Sequence, residues 1–242
     1  MAVTAEEFEE EASRSVLESV VIRFAGDSGD GMQLTGNQFT LATALAGNDL
    51  ATFPDFPAEI RAPVGTTFGV SAFQINFGTG GISTSGDTLD VLVAMNPAAL
   101  KVNVADVHAG GLIIVDTGSF SQRNLDKAGY SANPLSDGSL VKFKILEVDM
   151  SRLTRESVKD LGISAKEALR CKNMWALGLI YWMYGRKRKP TVDWLTTKFR
   201  KLPTIAEANI AALNAGHAFG ETAEMPAEVT AYTIPPANIA PG

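Results

Sequence analysis

The residues best able to do chemistry are Gly26-Asp27-Ser28-Gly29-Asp30-Gly31-Met32. Glycines at this density let backbone N–H groups approach an anion without obstruction from Cβ atoms. Where such a loop opens a helix, the positive end of the helix dipole faces the same space. The chemistry suggested is phosphate binding, with Gly26, Asp27, Ser28, Gly29 and Gly31 as candidate residues. The spacing is G-x-x-G-x-G, not the G-x-G-x-x-G of dinucleotide folds. Gly26 and Gly31 fit the first half of a P-loop, but Met32-Gln33 stand where its Lys-Ser/Thr would be. Asp27 and Asp30 would repel a phosphate unless they turn away from it. A tight turn that only packs a helix on a strand therefore stays open beside the phosphate site.

Two other chemistries fail at the same place. A calcium loop begun at Asp27 would have Gly29, Gly31, Met32 and Gln38 at its third, fifth, sixth and twelfth positions, so its oxygen ligands are missing. Gly29-Asp30-Gly31 imitates the start of a thiamine diphosphate signature, but the stretch FPDFPAEI downstream lacks the paired Asn. Calcium and thiamine binding by this chain are both rejected.

Two further loops belong beside the glycine loop. Asn96-Pro97 follows the run DVLVAM, and Asp116-Thr117-Gly118-Ser119 follows GLIIV. Both emerge at C-terminal strand ends, the edge at which open α/β sheets bind ligands. Asn96 and Asp116 are candidate binding residues on that ground. The competing reading makes Asn96 a helix cap with Pro97 in the first turn, and Asp116 a turn residue.

The remaining polar residues are less promising. Glu59 and Arg61 sit between Pro57 and Pro63, where Arg61 could clamp an oxyanion or simply pair with Glu59. His108 precedes a strand, which puts it on the edge opposite the glycine loop, and His217 lies near the end of a late helix. Cys171 has no sequence-local base and reads as an inert core thiol. The basic run Arg186-Lys187-Arg188-Lys189 suits a helix C-terminus and solvent, with an acidic protein partner as the alternative.

These residues must be positioned by a folded chain of 242 residues. Its 21 Lys+Arg against 27 Asp+Glu give a net charge of −6, which argues against a protein built to grip nucleic acid. With 45% hydrophobic and 20% charged residues it can bury a core. One cysteine and two histidines exclude a disulfide framework, a structural zinc site and a resident iron–sulfur cluster, the last two needing about four such ligands. The acidic N-terminal stretch Met1–Ala12 lacks the basic-then-apolar order of a signal peptide. The nearly apolar run Met174–Tyr184 falls short of the roughly 18 residues needed to span a bilayer. A cytoplasmic location, without nucleic-acid or membrane partners, is expected.

Short β-branched runs alternate with helical stretches: Ser19–Ala25, then a helix over Met32–Gly47, then strands at Phe68–Phe77, Asp90–Met95 and Gly111–Val115. That alternation implies an α/β fold, Rossmann-like, with a mostly parallel sheet and helices on both faces. After a strand at Lys142–Asp149 the chain turns mainly helical. Ser164 to Glu167 marks one helix start, and the helix that follows through Met174–Met183 is apolar nearly all round, hence buried between layers or under a partner. The expected organisation is an acidic extension over 1–18, one α/β domain over 19–225, and an edge strand with a Pro-rich linker over 226–242.

Five segments in order, VIRFAGDSGDGMQLTG, GNDLATFPDFPAEIRAPVGTTFGVSAFQI, DVLVAMNPAALK, KNMWALGLIYWMYG and AEANIAALNAGHAFGET, span nearly the whole sequence. Together they resemble the gamma-type domain of the 2-oxoacid:ferredoxin oxidoreductases, most closely the N-terminal part of the alpha subunit of the 2-oxoglutarate enzymes. The resemblance implies oxidative decarboxylation of a 2-oxoacid on thiamine diphosphate with Mg. Electrons pass through iron–sulfur clusters to ferredoxin, and the acyl group passes to coenzyme A. Those cofactors are implied for an alpha-type domain following this one and for a separate beta subunit, so that this chain is a fragment or a split subunit. For the gamma-type domain the resemblance implies an assembly role and a contribution to coenzyme A binding. The glycine loop then becomes the receiver of the coenzyme A diphosphate, flanked by Asn96 and Asp116. No lysine is close in sequence, which leaves the anion to backbone dipoles or to a cation from another chain. Two alternatives remain: a stand-alone nucleotide-dependent oxidoreductase with Asp49 on the ribose, and a purely structural module with an empty loop.

Overall fold

The computed structural model describes residues 14–59, 62–222 and 229–238. Most of the acidic extension, Arg61, the domain boundary placed at 225 and the last four residues of the Pro-rich tail lie outside the described residues. The strands are β1 (Ser15–Val16), β2 (Ser19–Asp27), β3 (Asp49–Asp55), β4 (Val70–Gly78), β5 (Leu89–Ala94), β6 (Val107–Asp116), β7 (Lys144–Val148) and β8 (Tyr232–Thr233). The helices are α1 (Met32–Leu45), α2 (Pro97–Asn103), α3 (Gln122–Lys127), α4 (Met150–Ser157), α5 (Ala165–Arg170), α6 (Lys172–Met183), α7 (Lys189–Lys198) and α8 (Pro203–Thr222).

Six strands form the central sheet in the order β3-β4-β2-β5-β6-β7. β2, β5, β6 and β7 run parallel, with Ala25 opposite Ala94, Ala94 opposite Val115 and Asp116 opposite Val148. Successive side chains point to opposite faces, so β5 and β6 are apolar on both sides. Val91, Val93, Leu112 and Ile114 join a core with residues of α1 and α6, while Leu92, Ala94, Ile113 and Val115 join a second core with residues of α2 and α3. The expected α/β class, with helices on both faces and a helical C-terminal part, is what the chain adopts.

Three features depart from the sequence reading. β4 runs antiparallel between β2 and β3, because no crossover helix joins β3 to β4 or β4 to β5. β3 is an edge strand whose Pro54 removes one ladder donor, and this composition hid it. The strand of the tail, β8, does not extend the main sheet: it pairs in parallel with β1 as a separate ribbon. Beyond it the described tail is tied down. Asn48 Nδ2 donates to Pro235 O at 2.7 Å, and Ala237 N donates to Gly47 O at 2.8 Å.

α6 lies between the sheet and α8. Every one of its residues except Lys172 is buried. The contact with α8 is backbone to backbone: a Cβ on Gly178 would run into the Leu213 carbonyl oxygen, and one on Gly216 into that of Trp175. Only glycine permits this approach.

Candidate functional site

The parallel strands β2, β5 and β6 end side by side, and this edge gathers the candidate residues. Asp27 closes β2, Asn96 begins α2 just beyond β5, and Asp116 closes β6. The loop from Asp27 to Gly31 is held by its own atoms and by the turn before β4: Asp30 N donates to Asp27 O at 2.8 Å, Asp27 N donates to Asp30 Oδ2 at 2.9 Å, and Ser28 N donates to Gly69 O at 3.1 Å.

Its three glycines have three different jobs. A Cβ on Gly26 would sit 2.8 Å from Asp30 Oδ2 and 3.2 Å from Met95 Cβ, so Gly26 serves the packing of the loop. Gly31 is left-handed (φ 78°) and caps α1, with Asn173 Nδ2 2.6 Å from where a Cβ would stand. Gly29 is exposed, and a Cβ there would have nothing within 4 Å, so nothing in the described chain requires a glycine at this position.

The two aspartates turn away from the outer face of the loop. Asp30 points back to the Asp27 amide. Asp27 is buried, accepts the Gly65 N–H at 3.1 Å, and faces the side-chain amide of Asn96. Burial and the Asp30 charge push the Asp27 pKa above its ordinary value, against the pull of Gly65, Asn96 and Lys172. What remains outward is Ser28, Gly29 and the start of α1, which has no side-chain cap and no acid in its first turn. The first N–H groups of a helix are donors in search of an acceptor, and their dipole favours an anion. Gln33, standing where a P-loop has Ser or Thr, is spent on the sheet: its Nε2 donates to Ala72 O at 2.8 Å.

Asn96 fills the capping role, its Oδ1 accepting from Ala99 N at 2.8 Å. Asp116 is fully enclosed and accepts from Ser151 N at 3.0 Å, Ser151 Oγ at 2.6 Å, Ser119 Oγ at 2.7 Å and Lys172 Nζ at 2.8 Å. Burial alone would raise its pKa, but the Lys172 charge and these hydrogen bonds outweigh that and hold it below its ordinary value.

Lys172 is the residue that sequence reasoning missed. The first residue of α6, 12% exposed at its side chain, it also donates to Ser119 Oγ at 3.1 Å and Met95 O at 3.3 Å. No lysine is close to the glycine loop in sequence, but the fold brings this one near Asp27, with its charge held by Asp116. Its trace in the sequence is that it is the one charged residue of KNMWALGLIYWM.

The other candidates fall elsewhere. Asp49 opens β3 opposite Gly78, which in turn lies opposite Ser19, so it belongs to the far end of the sheet from the loop. That overturns its assignment to a ribose there. His108 is also on that far edge, 3.0 Å from Asp90. His217 pairs with Glu221 at 3.1 Å. Cys171 is buried, and burial with the Glu167 charge pushes its thiol up to about 11. Glu59 is exposed and belongs to the segment after β3, in which Phe56, Val64 and Phe68 also stand exposed; Gly65 and Gly69 of that segment touch the glycine loop. Among the described residues no group of three or more His, Cys, Asp or Glu could hold a metal ion. No helix among them is long and apolar enough to cross a membrane.

Comparison with known proteins fits this arrangement. The chain is 55% identical over 229 residues to 2-oxoglutarate oxidoreductase subunit KorA of Mycobacterium tuberculosis, an alignment covering 95% of the chain and 35% of that subunit. It thus spans about a third of the length of the curated relative it matches. A solved 2-oxoglutarate:ferredoxin oxidoreductase from Magnetococcus marinus, with 2-oxoglutarate, coenzyme A and succinyl-CoA bound, shares the fold with a TM-score of 0.68 at 23% identity, covering 90% of this chain and 34% of that one. The gamma subunit of a keto/oxoacid ferredoxin oxidoreductase from Geobacter sulfurreducens matches with a TM-score of 0.55 at 18% identity over 84% of this chain and 96% of its own. Pyruvate oxidoreductase subunit PORC from Thermotoga maritima gives 0.53 at 18% identity over 84% and 97%. The family model for pyruvate ferredoxin/flavodoxin oxidoreductase matches residues 21–219, and the chain belongs to that family.

Proposed function

We propose that this chain is the gamma-type part of a cytoplasmic 2-oxoacid:ferredoxin oxidoreductase that takes 2-oxoglutarate, and that its glycine loop receives the diphosphate of coenzyme A. The observation that carries the site is the conjunction of an uncapped α1 N-terminus with a Gly29 that the chain itself does not need. The 55% identity to a 2-oxoglutarate oxidoreductase subunit supports the choice of 2-oxoacid. Asp27 and Asp30 turn inward, so the anion meets backbone amides and not carboxylates. Lys172 offsets part of the acidic charge from below, and Asn96 fixes Asp27.

The role of this chain is to bind and orient the acyl acceptor. Decarboxylation and electron transfer are supplied in such enzymes by thiamine diphosphate, Mg and iron–sulfur clusters. The side chains of this chain do not fit them: its one cysteine, Cys171, is buried alone and no Asn pair follows the glycine loop. We assign those groups to an alpha-type domain and a beta subunit, with ferredoxin reached through the complex. The exposed Phe56, Val64 and Phe68 beside the loop are the expected covered face in that assembly.

Calorimetric titration of the chain with coenzyme A and with NAD tests the reading. Heat with coenzyme A and none with NAD supports it, heat with NAD favours a dinucleotide enzyme, and silence with both leaves a structural module.

A further inference from the structure

The turn after α6 and the first residue of α7 carry Arg186, Lys187, Arg188 and Lys189, and three of these behave as a solvated basic run. Lys187 is exposed, Arg188 Nη1 donates to Asn214 Oδ1 at 2.9 Å, and Lys189 pairs with Asp193 at 2.7 Å. Arg186 does not. It is 5% exposed, its guanidinium lies 5.2 Å from the centre of the Phe77 ring, and among the described residues neither its Nε nor its Nη2 has a hydrogen-bond acceptor. Burial pulls its pKa down to about 10, so it stays charged at neutral pH. A buried charge with unmade hydrogen bonds is costly unless something supplies the acceptors.

Nε and Nη2 form one edge of a guanidinium, the fork that matches two oxygens of a single carboxylate or phosphate. Arg186 lines a broad groove, open to solvent, together with Lys187, Arg188, Lys189, Asn214 and His217. Among the described residues the one carboxylate in the lining, Asp193, is already held by Lys189.

We propose that this groove is an oxyanion site: Lys187 and Arg188 hold the anion at the surface, and the Nε–Nη2 edge of Arg186, enclosed in the free chain, opens to one phosphate or carboxylate group of it. It is separate from the glycine loop. Phe77 lies opposite Val20 at the start of β2, and the loop follows Asp27, roughly 23 Å further along at about 3.3 Å per residue. The site therefore stands whether or not the loop binds coenzyme A.

The oxyanion has two possible sources. One is a free small polyanion. The other is the chain's own acidic stretch: Glu6, Glu7, Glu9, Glu10 and Glu11 precede Arg14, whose Nη1 donates to Trp182 O at 3.2 Å and lies against Gly185, the neighbour of Arg186. From Arg14 to Glu11 the chain can reach about 10 Å.

Calorimetric titration of the full chain with pyrophosphate tests the site. Binding is expected to weaken about ten- to hundredfold in both Arg186→Gln and Arg186→Lys, because lysine keeps the charge but not the fork. The surface pair Lys187→Gln with Arg188→Gln, which leaves the core alone, is expected to bind more weakly and with a shallower salt dependence. Replacing the five glutamates by glutamine separates the sources: tighter pyrophosphate binding identifies the chain's own carboxylates as occupants, and unchanged binding assigns the site to a free anion. Equal affinity in all the Arg186 and Lys187/Arg188 variants overturns the site. So does an absence of binding in both the unaltered and the glutamine-substituted chains.

Discussion

Lys172 Nζ lies 2.8 Å from Asp116 Oδ2, joining the first residue of α6 to the last residue of β6. The carboxylate is fully enclosed, so this pair acts as a clamp that seats the helix against the sheet edge under the glycine loop. Removing one partner from a buried ion pair leaves the other without compensation. Lys172→Met is expected to cost about 3–5 kcal/mol in chemical denaturation, and Lys172→Met with Asp116→Asn to recover much of that. A single substitution that changes stability by less than about 0.5 kcal/mol would show that the clamp carries no weight.

The two buried carboxyls of the site predict opposite pH behaviour. Asp116 titrates below its ordinary value of 3.8 in the folded chain, so its contribution is full above that value and is lost as pH falls through the lowered folded pKa. Asp27 titrates above 3.8, so what it contributes is present below that value and is lost as pH rises through the raised folded pKa. Near neutral pH, Asp27→Asn is therefore expected to raise the denaturation midpoint and Asp116→Asn to lower it. The gain from Asp27→Asn should shrink as the pH is brought down towards 3.8. Midpoints measured from acid to neutral pH check both signs.

The glycines separate structure from recognition. Gly31→Ala forces a left-handed backbone on alanine, which costs about 1–2 kcal/mol, and also presses on Asn173. Gly29→Ala meets nothing and is expected to stay within about 0.5 kcal/mol of the unaltered chain. Thermal or denaturant unfolding of the two variants side by side measures the contrast.

Much of this edge could be read in advance because strand runs such as SVVIRFA and GLIIVD end directly in Gly, Asp and Asn, and loops after parallel strands share one edge. Direction was not readable. Alternation of apolar side chains is the same for either strand sense, so β4 gave no sign of running antiparallel. DLATFPD, with a proline and two acids, lacks the marks of a strand and pairs only because it lies at the sheet edge. Lys172 was hidden for a different reason. Its partners Met95, Asp116 and Ser119 are brought to it by the packing of α6 over the sheet, which no local pattern encodes.

The α6–α8 contact predicts one sharp stability effect. Gly178→Ala must push α8 away, since the obstacle is the Leu213 backbone and not a side chain that can swing aside. Overpacking of this kind costs about 1–3 kcal/mol or more, and denaturant unfolding of the variant should show a loss at the upper end of that range.

The most direct test of the glycine loop uses Gly29→Val in the complete oxidoreductase, assayed with varied coenzyme A and, separately, for release of carbon dioxide from the 2-oxoacid. A Cβ at this position meets nothing within 4 Å, so the substitution is expected to leave the fold intact. The expected result is a KM for coenzyme A raised about tenfold or more, as loss of one or two charge-assisted hydrogen bonds would give, with decarboxylation intact. An unchanged KM would contradict coenzyme A binding at this loop.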